Sequence, residues 1–396
     1  MSEELEVLRE RIDDIDRQMV ELFKQRMETA GEIADYKLAR SLPVYAAARE
    51  RALLGKVGEQ AGEELADYAQ SVYRSILSVS RSYQYGRVGG TSRVYDSIHK
   101  ALESTPSLFP QRPTVACQGI EGAYSQIACD RLFKAPTIMY FQTFDHVFKA
   151  VESGMCQYGI LPIENSTAGS VKAVYDLMLR HNFYIVRSAR LKVSHNLLAK
   201  HGTDLSQVKE IFSHEQAINQ CAGYLAGLKD VKVTVVENTA TASRMVAESD
   251  CTDVAALSSR FCAEHYGLNI LQENVQDQDN NYTRFICISK KLEIYPGADR
   301  TSLMITLPHK PGTLYNVLAK FYALNINLQK LESRPLPERE FEFMFYFDID
   351  ASVYAPEVEN REDRAATSVR SDPATMREAV AVFSTTVTFT SFSPAR

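Results

Sequence analysis

The sequence predicts a multidomain chain with an all-α N-terminal region, a larger α/β region and a smaller α+β region at the end. Residues 1–88 contain a single proline, at position 43, and no run of β-branched residues. Between residues 114 and 290, short apolar segments alternate with helical patterns, as in βαβ units. After residue 301 a strand pattern, a Pro-Gly turn, a helix pattern and further strand patterns follow.

The N-terminal region, residues 1–88, is predicted to form long helices that pack along an apolar seam. Apolar residues recur at steps of three and four from Leu5 to Leu22, as in a long helix packed against another. The next seam position is Arg26, and a buried arginine is unfavourable unless it is paired. A second helix should follow the break at Pro43, and a third should span roughly residues 65–84.

The α/β region is predicted to span residues 114–290, after a linker at residues 89–113 that is rich in glycine, serine and proline. A helical pattern within the linker covers residues 94–102. The alternation of strand and helix patterns predicts a largely parallel sheet. The main strand segments are 114–117, 158–163, 231–236, 254–257 and 285–288.

The C-terminal region is predicted to span residues 301–396. Its elements are a strand at 302–307, a turn at Pro311-Gly312, a helix at 313–324 and strands at 328–332 and 341–349. Residues 351–380 are charged and weakly periodic, and a last strand pattern covers 385–391.

Composition excludes several classes of function. A net charge of -6 without a basic tail argues against a nucleic-acid partner. No apolar stretch is long enough to span a membrane, and no G-x-G-x-x-G follows a strand, as a nicotinamide dehydrogenase requires. The seven cysteines are scattered without a C-x-x-C pair, which predicts reduced, mostly buried thiols in a cytoplasmic protein with no zinc site.

Charged residues of the helical region are spaced so that they share a face. Lys37 follows Arg26 by eleven residues, which places it about 20° away around a helix. Arg9 precedes Arg26 by seventeen residues and lies about 100° off that face, so it would reach the same ligand only from another chain or by a wide bend. The other polar residues that would border such a site are Arg49, Glu50, Ser80 and Gln84.

Cations that converge on a small cavity, with neutral donors beside them, indicate a receptor for a small dicarboxylate. The pattern offers no base or nucleophile, so it suits a unimolecular rearrangement, in which the protein holds a reactive conformer and stabilises charge on an oxygen. The alternative is that these polar residues fix the register of a helical dimer.

A second candidate site lies where the polar loop 277–281 enters an apolar strand at Thr283 and Arg284. A hydroxyl and a guanidinium at the mouth of a strand suit an anionic ligand. The alternative is a strand-start threonine with an arginine at a solvated edge. A second polar loop, residues 162–169, favours the ligand site.

Three segments resemble known domains in the order of the bifunctional chorismate mutase–prephenate dehydratases of bacterial phenylalanine synthesis. Residues 5–84 resemble the all-helical mutase domain, 114–289 the dehydratase and 302–350 an ACT regulatory domain. The dehydratase motifs that carry the resemblance are 119–125, 162–169, 213–217, 220–221, 237–242 and 282–285. The resemblance implies a two-lobed α/β dehydratase domain similar to type II periplasmic-binding folds, a ferredoxin-like ACT domain, a homodimer and no metal or cofactor.

The resemblance also implies roles for the helical region. The residues assigned to chorismate are Arg9, Arg26, Lys37, Arg49, Glu50, Ser80 and Gln84. The arginines would bind carboxylates, Lys37 and Gln84 would bracket the ether oxygen, and Glu50 would bind the hydroxyl. Arg9 would come from the partner subunit. The family often has an acidic residue where this chain has Ala46, and its absence affects hydroxyl binding rather than the cations.

For the α/β region the resemblance implies that Thr283 is the principal catalytic residue, acting on the departing hydroxyl of prephenate. The residues assigned to prephenate are Asn165, Ser166, Thr167, Ser213, Gln216, Gln220, Glu237, Thr239, Thr283, Arg284 and Phe285. Glu164 is either an extra acid or a buried structural carboxylate. His214 is either a general acid or a helix cap, and its place at a helix start favours the cap.

In the C-terminal region two motifs resemble the phenylalanine-binding motifs of ACT domains. The residues assigned to this effector are Gly312, Thr313, Leu314, Glu332, Ser333 and Arg334. The charged pair could instead form an ion pair at a domain edge. Feedback inhibition would follow if phenylalanine binds one arrangement of the protein better than another.

Two other functions fit part of the sequence. One is a non-catalytic amino-acid sensor, which should lack Thr283 and Arg26, yet both are present. The other is a phenylalanine-regulated dehydratase whose helical region only dimerises.

Overall fold

The computed structural model describes residues 3–88, 93–307, 309–323, 325–336, 342–352 and 378–387. The chain divides into two compact units. One contains residues 1–99, 305–327 and 353–380, and the other contains residues 100–304, 328–352 and 381–396. The strands of residues 328–352 therefore belong to the same compact unit as the α/β region.

The elements, numbered in chain order, have the following bounds. The helices are α1 Glu3–Ala39, α2 Ala47–Val88, α3 Arg93–Ser104, α4 Tyr124–Leu132, α5 Phe144–Ser153, α6 Lys172–Met178, α7 Glu215–Gln220, α8 Ala222–Ala226, α9 Thr239–Glu248, α10 Arg260–Tyr266 and α11 Thr313–Ala323. The strands are β1 Thr114–Gln118, β2 Thr137–Phe141, β3 Tyr158–Asn165, β4 Gly169–Ser170, β5 Tyr184–Lys192, β6 Asn196–Ala199, β7 Glu210–Ser213, β8 Lys232–Val235, β9 Val254–Ser258, β10 Asn269–Gln272, β11 Tyr282–Ser289, β12 Arg300–Leu307, β13 Asn327–Pro335, β14 Phe343–Asp350 and β15 Glu378–Val387.

The N-terminal region is helical, as predicted. Helix α2 is interrupted at Gly62, whose φ of 75° is accessible to glycine at little cost, so the region has three helical segments. Asp35 of α1 pairs with Arg87 of α2 at 2.8 Å. The apolar seam of α1 remains accessible, because its residues from Leu5 to Leu22 have relative exposures between 40% and 64%.

The first sheet has the strand order β13-β14-β12-β15-β5-β11-β3-β1-β2, with β4 paired to β3. Strand β1 runs parallel to β2 and β3, whereas β11 runs antiparallel to both β3 and β5. The prediction of a largely parallel sheet is therefore wrong for the strands beside β11. This strand enters the sheet after the chain has passed through the second sheet, so it is not part of a βαβ crossover from β3 or β5.

The second sheet has the order β10-β6-β9-β7-β8 and is also mixed, with β7 parallel to β8 and β9. Each sheet has buried apolar clusters that include residues of its neighbouring helices, which explains why central strands such as β1 and β9 are almost continuously apolar. Close packing of α5 on β3 requires Gly159, because a Cβ there would lie 2.9 Å from Val147.

The described part of the C-terminal region follows the predicted order of strand β12, helix α11 and strands β13 and β14. The predicted last strand is present but begins earlier, and β15 pairs in parallel with β5. Residues 353–377, the greater part of the weakly periodic segment, lie outside the described residues.

Candidate active sites

A cavity of about 530 Å³ lies in the α/β unit, which is a suitable volume for a small organic substrate. It is lined by Ser166, Thr167, Ala168, Gln216, Asn219, Gln220, Gln276, Asp277, Gln278 and Asn281. Asp277 is the only charged residue of this lining, and its carboxylate accepts a hydrogen bond from the backbone of Gly223 at 3.0 Å. The lining is therefore dominated by neutral amide and hydroxyl groups.

Thr283 lies beside this cavity because of the register between β3 and β11. Thr283 is paired with Asn165, and Arg284 is paired with Glu164, just before an irregularity in the ladder at Phe285. The Asn165 amide nitrogen donates to the Thr283 hydroxyl at 2.9 Å and to Asn281 Oδ1 at 2.7 Å. Two polar loops distant in sequence, 162–169 and 277–281, thus meet as the sequence predicted.

The Asn165 side chain has an orientation that the backbone fixes. Its oxygen accepts from the backbone N–H groups of Thr167 and Ala168, at 3.0 and 2.8 Å, and from the Thr167 hydroxyl at 2.7 Å. Both hydrogens of its amide nitrogen are therefore directed at Asn281 and Thr283. Because the Thr283 oxygen accepts one of them, its own hydrogen is left for a ligand, and it donates to no other described residue.

Gln220 connects the two loops to the second sheet. Its amide nitrogen donates to the Thr167 hydroxyl at 3.1 Å, and its oxygen lies 2.9 Å from both Asn281 Nδ2 and His195 Nε2. His195 is 3% exposed, and burial lowers its pKa although the bond to Gln220 opposes this shift. The sequence identified Gln220 but missed His195, because no local motif marks an isolated histidine between two strands.

Seven of the residues assigned to prephenate are not part of the cavity lining. Two of them, Asn165 and Thr283, lie beside it, and the other five are placed elsewhere. Ser213 is fully buried and donates to the carbonyl of Leu257 at 2.8 Å, and Phe285 packs in an apolar cluster of the first sheet. Glu237 is exposed, and the Thr239 carbonyl accepts from Ser243. The fifth residue, Arg284, alternates with Thr283 along β11, so its side chain projects to the other face of the strand.

Arg284 belongs to an ion cluster that contains Glu164, Asp348 and Lys330, of which Arg284 and Asp348 are buried. Its Nε lies 2.9 Å from Glu164 Oε1, and Nη2 donates to Asp348, which is 1% exposed. Burial acts to lower the pKa of Arg284, but Tyr346, Asp348 and Glu164 outweigh it and the pKa is raised. Lys330 of β13 donates to the second oxygen of Glu164 at 2.6 Å. Glu164 is therefore held in an ion cluster, as the structural alternative predicted, but its side chain is 32% exposed rather than buried.

His214 has the predicted capping role. It precedes α7, and its Nδ1 accepts a hydrogen bond from the backbone N–H of Gln216 at 3.2 Å. This bond satisfies one of the free N–H groups at the helix start and helps to place Gln216 at the cavity.

In the helical region, Arg26, Lys37, Glu50, Ser80 and Gln84 are partly or fully buried. Burial lowers the pKa of Lys37, while the charge of Glu50 opposes the shift, and its ammonium donates to the Val44 carbonyl at 2.5 Å. Three buried atoms of this region, Arg26 Nη1, Arg81 Nε and Gln84 Oε1, have no hydrogen-bond partner in the described part of the chain. Such atoms are unfavourable unless a ligand satisfies them.

The sequence missed Arg81, which donates to both oxygens of Glu50 at 2.6 and 2.5 Å. Its position beside Ser80 and one turn from Gln84 was the available signal. Two other cations assigned to chorismate are exposed in the single chain: Arg49, and Arg9, which pairs with Glu6 at 2.9 Å. One copy of the chain therefore brings together only part of the residues assigned to chorismate.

Two of the residues assigned to the effector are engaged within the α/β unit. Glu332 accepts from Ser170 at 2.7 Å, and Arg334 Nε donates to Asp176 at 2.8 Å. Gly312 has a φ of 84°, which a residue with a Cβ adopts only with strain, so the turn before α11 requires glycine.

Comparisons with known families and proteins match the helical region and the α/β region separately. The family model for prephenate dehydratase matches residues 115–293, and that for type II chorismate mutase matches residues 8–85. A solved prephenate dehydratase from Arthrobacter aurescens, in complex with L-Phe, is 26% identical with a TM-score of 0.60, over 68% of this chain and 89% of that one. GqqA, described as a novel type of quorum quenching acylase, is 28% identical with a TM-score of 0.61, over 69% of this chain and 98% of that one.

Curated relatives cover different shares of the chain. Arogenate dehydratase/prephenate dehydratase 2 of Arabidopsis thaliana is 39% identical over 61% of this chain, and the match spans 66% of that relative. The bifunctional chorismate mutase/prephenate dehydratase of Enterobacter agglomerans is 30% identical over 92% of this chain and 93% of the relative. The second match covers most of the chain and therefore includes both the helical and the α/β regions. The chain belongs to the bifunctional chorismate mutase/prephenate dehydratase family.

Proposed function

We propose that the chain is a bifunctional enzyme of phenylalanine biosynthesis. Its helical region rearranges chorismate to prephenate, and the cavity of its α/β unit converts prephenate to phenylpyruvate. The observation that carries the second assignment is the Thr283 hydroxyl, which accepts a hydrogen bond from Asn165 and keeps its own hydrogen for a ligand beside the cavity.

In the dehydratase reaction the bond from the ring to its carboxylate breaks and carbon dioxide leaves. The electron pair moves into the ring, and the bond to the ring hydroxyl breaks, so that hydroxide must leave with a proton as water. The hydrogen bond from Thr283 to this oxygen strengthens as negative charge develops on it, which lowers the barrier. The cavity lining contains no cationic residue, which suits this reaction because a cation beside the departing carboxylate would stabilise the reactant.

In the mutase reaction no proton is transferred. One carbon–oxygen bond breaks as a carbon–carbon bond forms, and the ether oxygen gains negative charge in between. Lys37 would donate to this oxygen, and Gln84 would do so through its amide nitrogen. The unpartnered atom Arg26 Nη1 supports a carboxylate contact nearby.

We propose that the active mutase is a homodimer. The seam from Leu5 to Leu22 is exposed along one helix, and a continuous apolar stripe of this kind is covered in most soluble proteins. A second copy that packs on α1 would bury the seam and could bring its Arg9 to the site, which one copy alone leaves incomplete.

We propose phenylalanine as the feedback inhibitor, with Gly312, Thr313, Leu314, Glu332, Ser333 and Arg334 as its binding residues. The strand order β13-β14-β12-β15 supports a ferredoxin-like ACT arrangement, because β12 and β15 are adjacent and β13 and β14 extend the sheet beyond them. The bonds of Glu332 to Ser170 and of Arg334 to Asp176 would have to rearrange when an amino acid binds both side chains.

The test is an assay of the purified protein with chorismate and, separately, with prephenate, each with and without phenylalanine. Formation of phenylpyruvate from both substrates, with prephenate as a transient in the first assay, supports both activities. Turnover of prephenate without turnover of chorismate would leave a dehydratase with a dimerising helical region. A parallel assay with arogenate distinguishes a chain that prefers the amino-acid form of the substrate, as the name of the Arabidopsis relative suggests.

A further inference from the structure

We infer that His195, in its neutral form with the proton on Nε2, is a positioning residue for the dehydratase reaction. Together with Asn281 it fixes the orientation of the Gln220 amide, so that the NH₂ group of Gln220 is directed at Thr167 and the cavity. The inference rests on the proposed dehydratase function.

The direction of each hydrogen bond follows from the backbone. The Asn165 oxygen accepts from two backbone N–H groups, so its nitrogen must be the donor to Asn281 Oδ1. The Asn281 nitrogen must then be the donor to Gln220 Oε1. With its oxygen placed there, Gln220 directs its nitrogen at the Thr167 hydroxyl, which in turn donates to Asn165. The four side chains form a closed ring with one consistent direction of donation.

His195 Nε2 lies 2.9 Å from the same Gln220 oxygen. Because this oxygen has only lone pairs to offer, the histidine nitrogen must carry the hydrogen. An amide oxygen accepts two hydrogen bonds well, and His195 and Asn281 fill both positions. If His195 Nε2 carried no hydrogen, its lone pair would face the lone pairs of the Gln220 oxygen. This repulsion would favour the Gln220 side chain with its amide rotated by about 180°, which directs the oxygen rather than the NH₂ group at Thr167.

The remaining contacts hold the imidazole ring in place and argue against acid catalysis by it. The backbone of His195 donates to Gln276 Oε1 and accepts from the N–H of Val275, both at 2.9 Å. Its Nδ1 is buried without a hydrogen-bond partner in the described residues. Protonation there would bury a charge and leave a donor unsatisfied, and burial lowers the pKa of this histidine accordingly. His195 therefore acts through Gln220 rather than on the substrate.

The experiment compares three variants of the full-length protein with prephenate. His195→Gln places an amide nitrogen as far along the side chain as Nε2, whereas His195→Asn places it at the level of Nδ1, and His195→Leu has no donor. We expect kcat to fall about 10- to 100-fold in the Leu and Asn variants, with a smaller change in KM, and to recover to within about 5-fold of wild type in the Gln variant. The midpoint of the α/β unit in urea, measured for each variant, serves as the folding control, and mutase turnover normalises the protein concentration.

A double-mutant cycle tests whether His195 acts through Gln220. In a Gln220→Ala background, His195→Leu should lower kcat by less than about 2-fold, because the group it positions is already absent. If the double variant loses as much kcat as the product of the two single losses, the inference is overturned. Equal activity of the His195→Gln and His195→Asn variants would also overturn it.

A measurement without substrate separates this inference from the proposed function. Long-range ¹H–¹⁵N spectra of the wild-type protein should show one neutral histidine with the proton on Nε2 whose signals disappear in the His195 variants. A proton on Nδ1, or an imidazolium at neutral pH, would refute the positioning role even if prephenate is turned over. The expected tautomer without any turnover of prephenate would instead refute the proposed function.

Discussion

Substitution of the buried Asp348 by asparagine tests whether the ion cluster around Arg284 holds the strands of the proposed dehydratase site in register. Asp348 is 1% exposed and accepts hydrogen bonds from Arg284, Ser302 and Tyr346. Arg284 follows Thr283 directly, and its partner Glu164 precedes Asn165. A change at Asp348 therefore acts on the two strands that place the proposed catalytic hydroxyl and its donor.

The magnitude of the effect follows from the burial of the pair of Arg284 and Asp348. Removing one partner of a buried ion pair destabilises a protein by about 3–5 kcal/mol, because the other charge stays buried. In Asp348→Asn the remaining side-chain oxygen would still accept from Ser302 and Tyr346, so we expect the lower end, about 3 kcal/mol. With a denaturant dependence of about 3 kcal/mol per molar urea, the unfolding midpoint of the α/β unit should fall by about 1 M.

The assay follows residual prephenate turnover after equilibration in urea, with chorismate turnover by the same samples as an internal reference. Asp350→Asn is the matched control, since Asp350 lies two residues along the same strand but its side chain is 37% exposed, and its pair with Arg300 is long at 3.8 Å. An exposed pair contributes at most about 1 kcal/mol. Indistinguishable midpoints for the two variants would refute a stabilising role for the cluster.

Three further predictions concern the separate sites. Lys37→Ala should lower chorismate turnover at least ~100-fold and leave prephenate turnover unchanged, and Thr283→Ala should do the reverse; parallel loss of both activities in either variant would contradict two independent sites. Because burial lowers the pKa of Lys37 below its ordinary value of 10.5, mutase activity should be constant at lower pH and fall as pH rises through that lowered pKa. An unchanged alkaline limb in an active Lys37→Arg variant would assign it to another group, since arginine stays protonated. Ile15→Glu, on the exposed seam, should yield a monomer by analytical ultracentrifugation with little mutase activity, whereas the control Arg17→Glu should remain a dimer.

The sequence predicted the order of the elements well because the local patterns are strong. The interrupted helical region, the apolar strand segments and the strand–helix–strand order after residue 301 follow from periodicity and from glycine and proline positions. The direction of β11 was not predictable in this way. Whether a strand enters a sheet parallel or antiparallel depends on the route of the chain through the second sheet, which no local pattern encodes.

The sequence already indicated that Arg284 and Thr283 lie on opposite faces of their strand. Adjacent residues of a strand project to opposite faces, so Thr283 and Arg284 could not both face one cavity. Only the structure identifies the partners of Arg284, because Asp348 and Lys330 lie on distant strands of the same compact unit.

By itself the sequence determined which chemical groups the chain carries and which short segments present them: cations on a helical face, and amides and a hydroxyl at the ends of strands. The tertiary structure decided which of these groups meet, and in which direction each hydrogen bond runs. The physical reason is that an amide or an imidazole can donate or accept at the same distance. The amide orientation of Gln220 and the tautomer of His195 are determined by the backbone N–H groups that bind the Asn165 oxygen. Those groups are distant from both residues in sequence and act through a chain of hydrogen bonds.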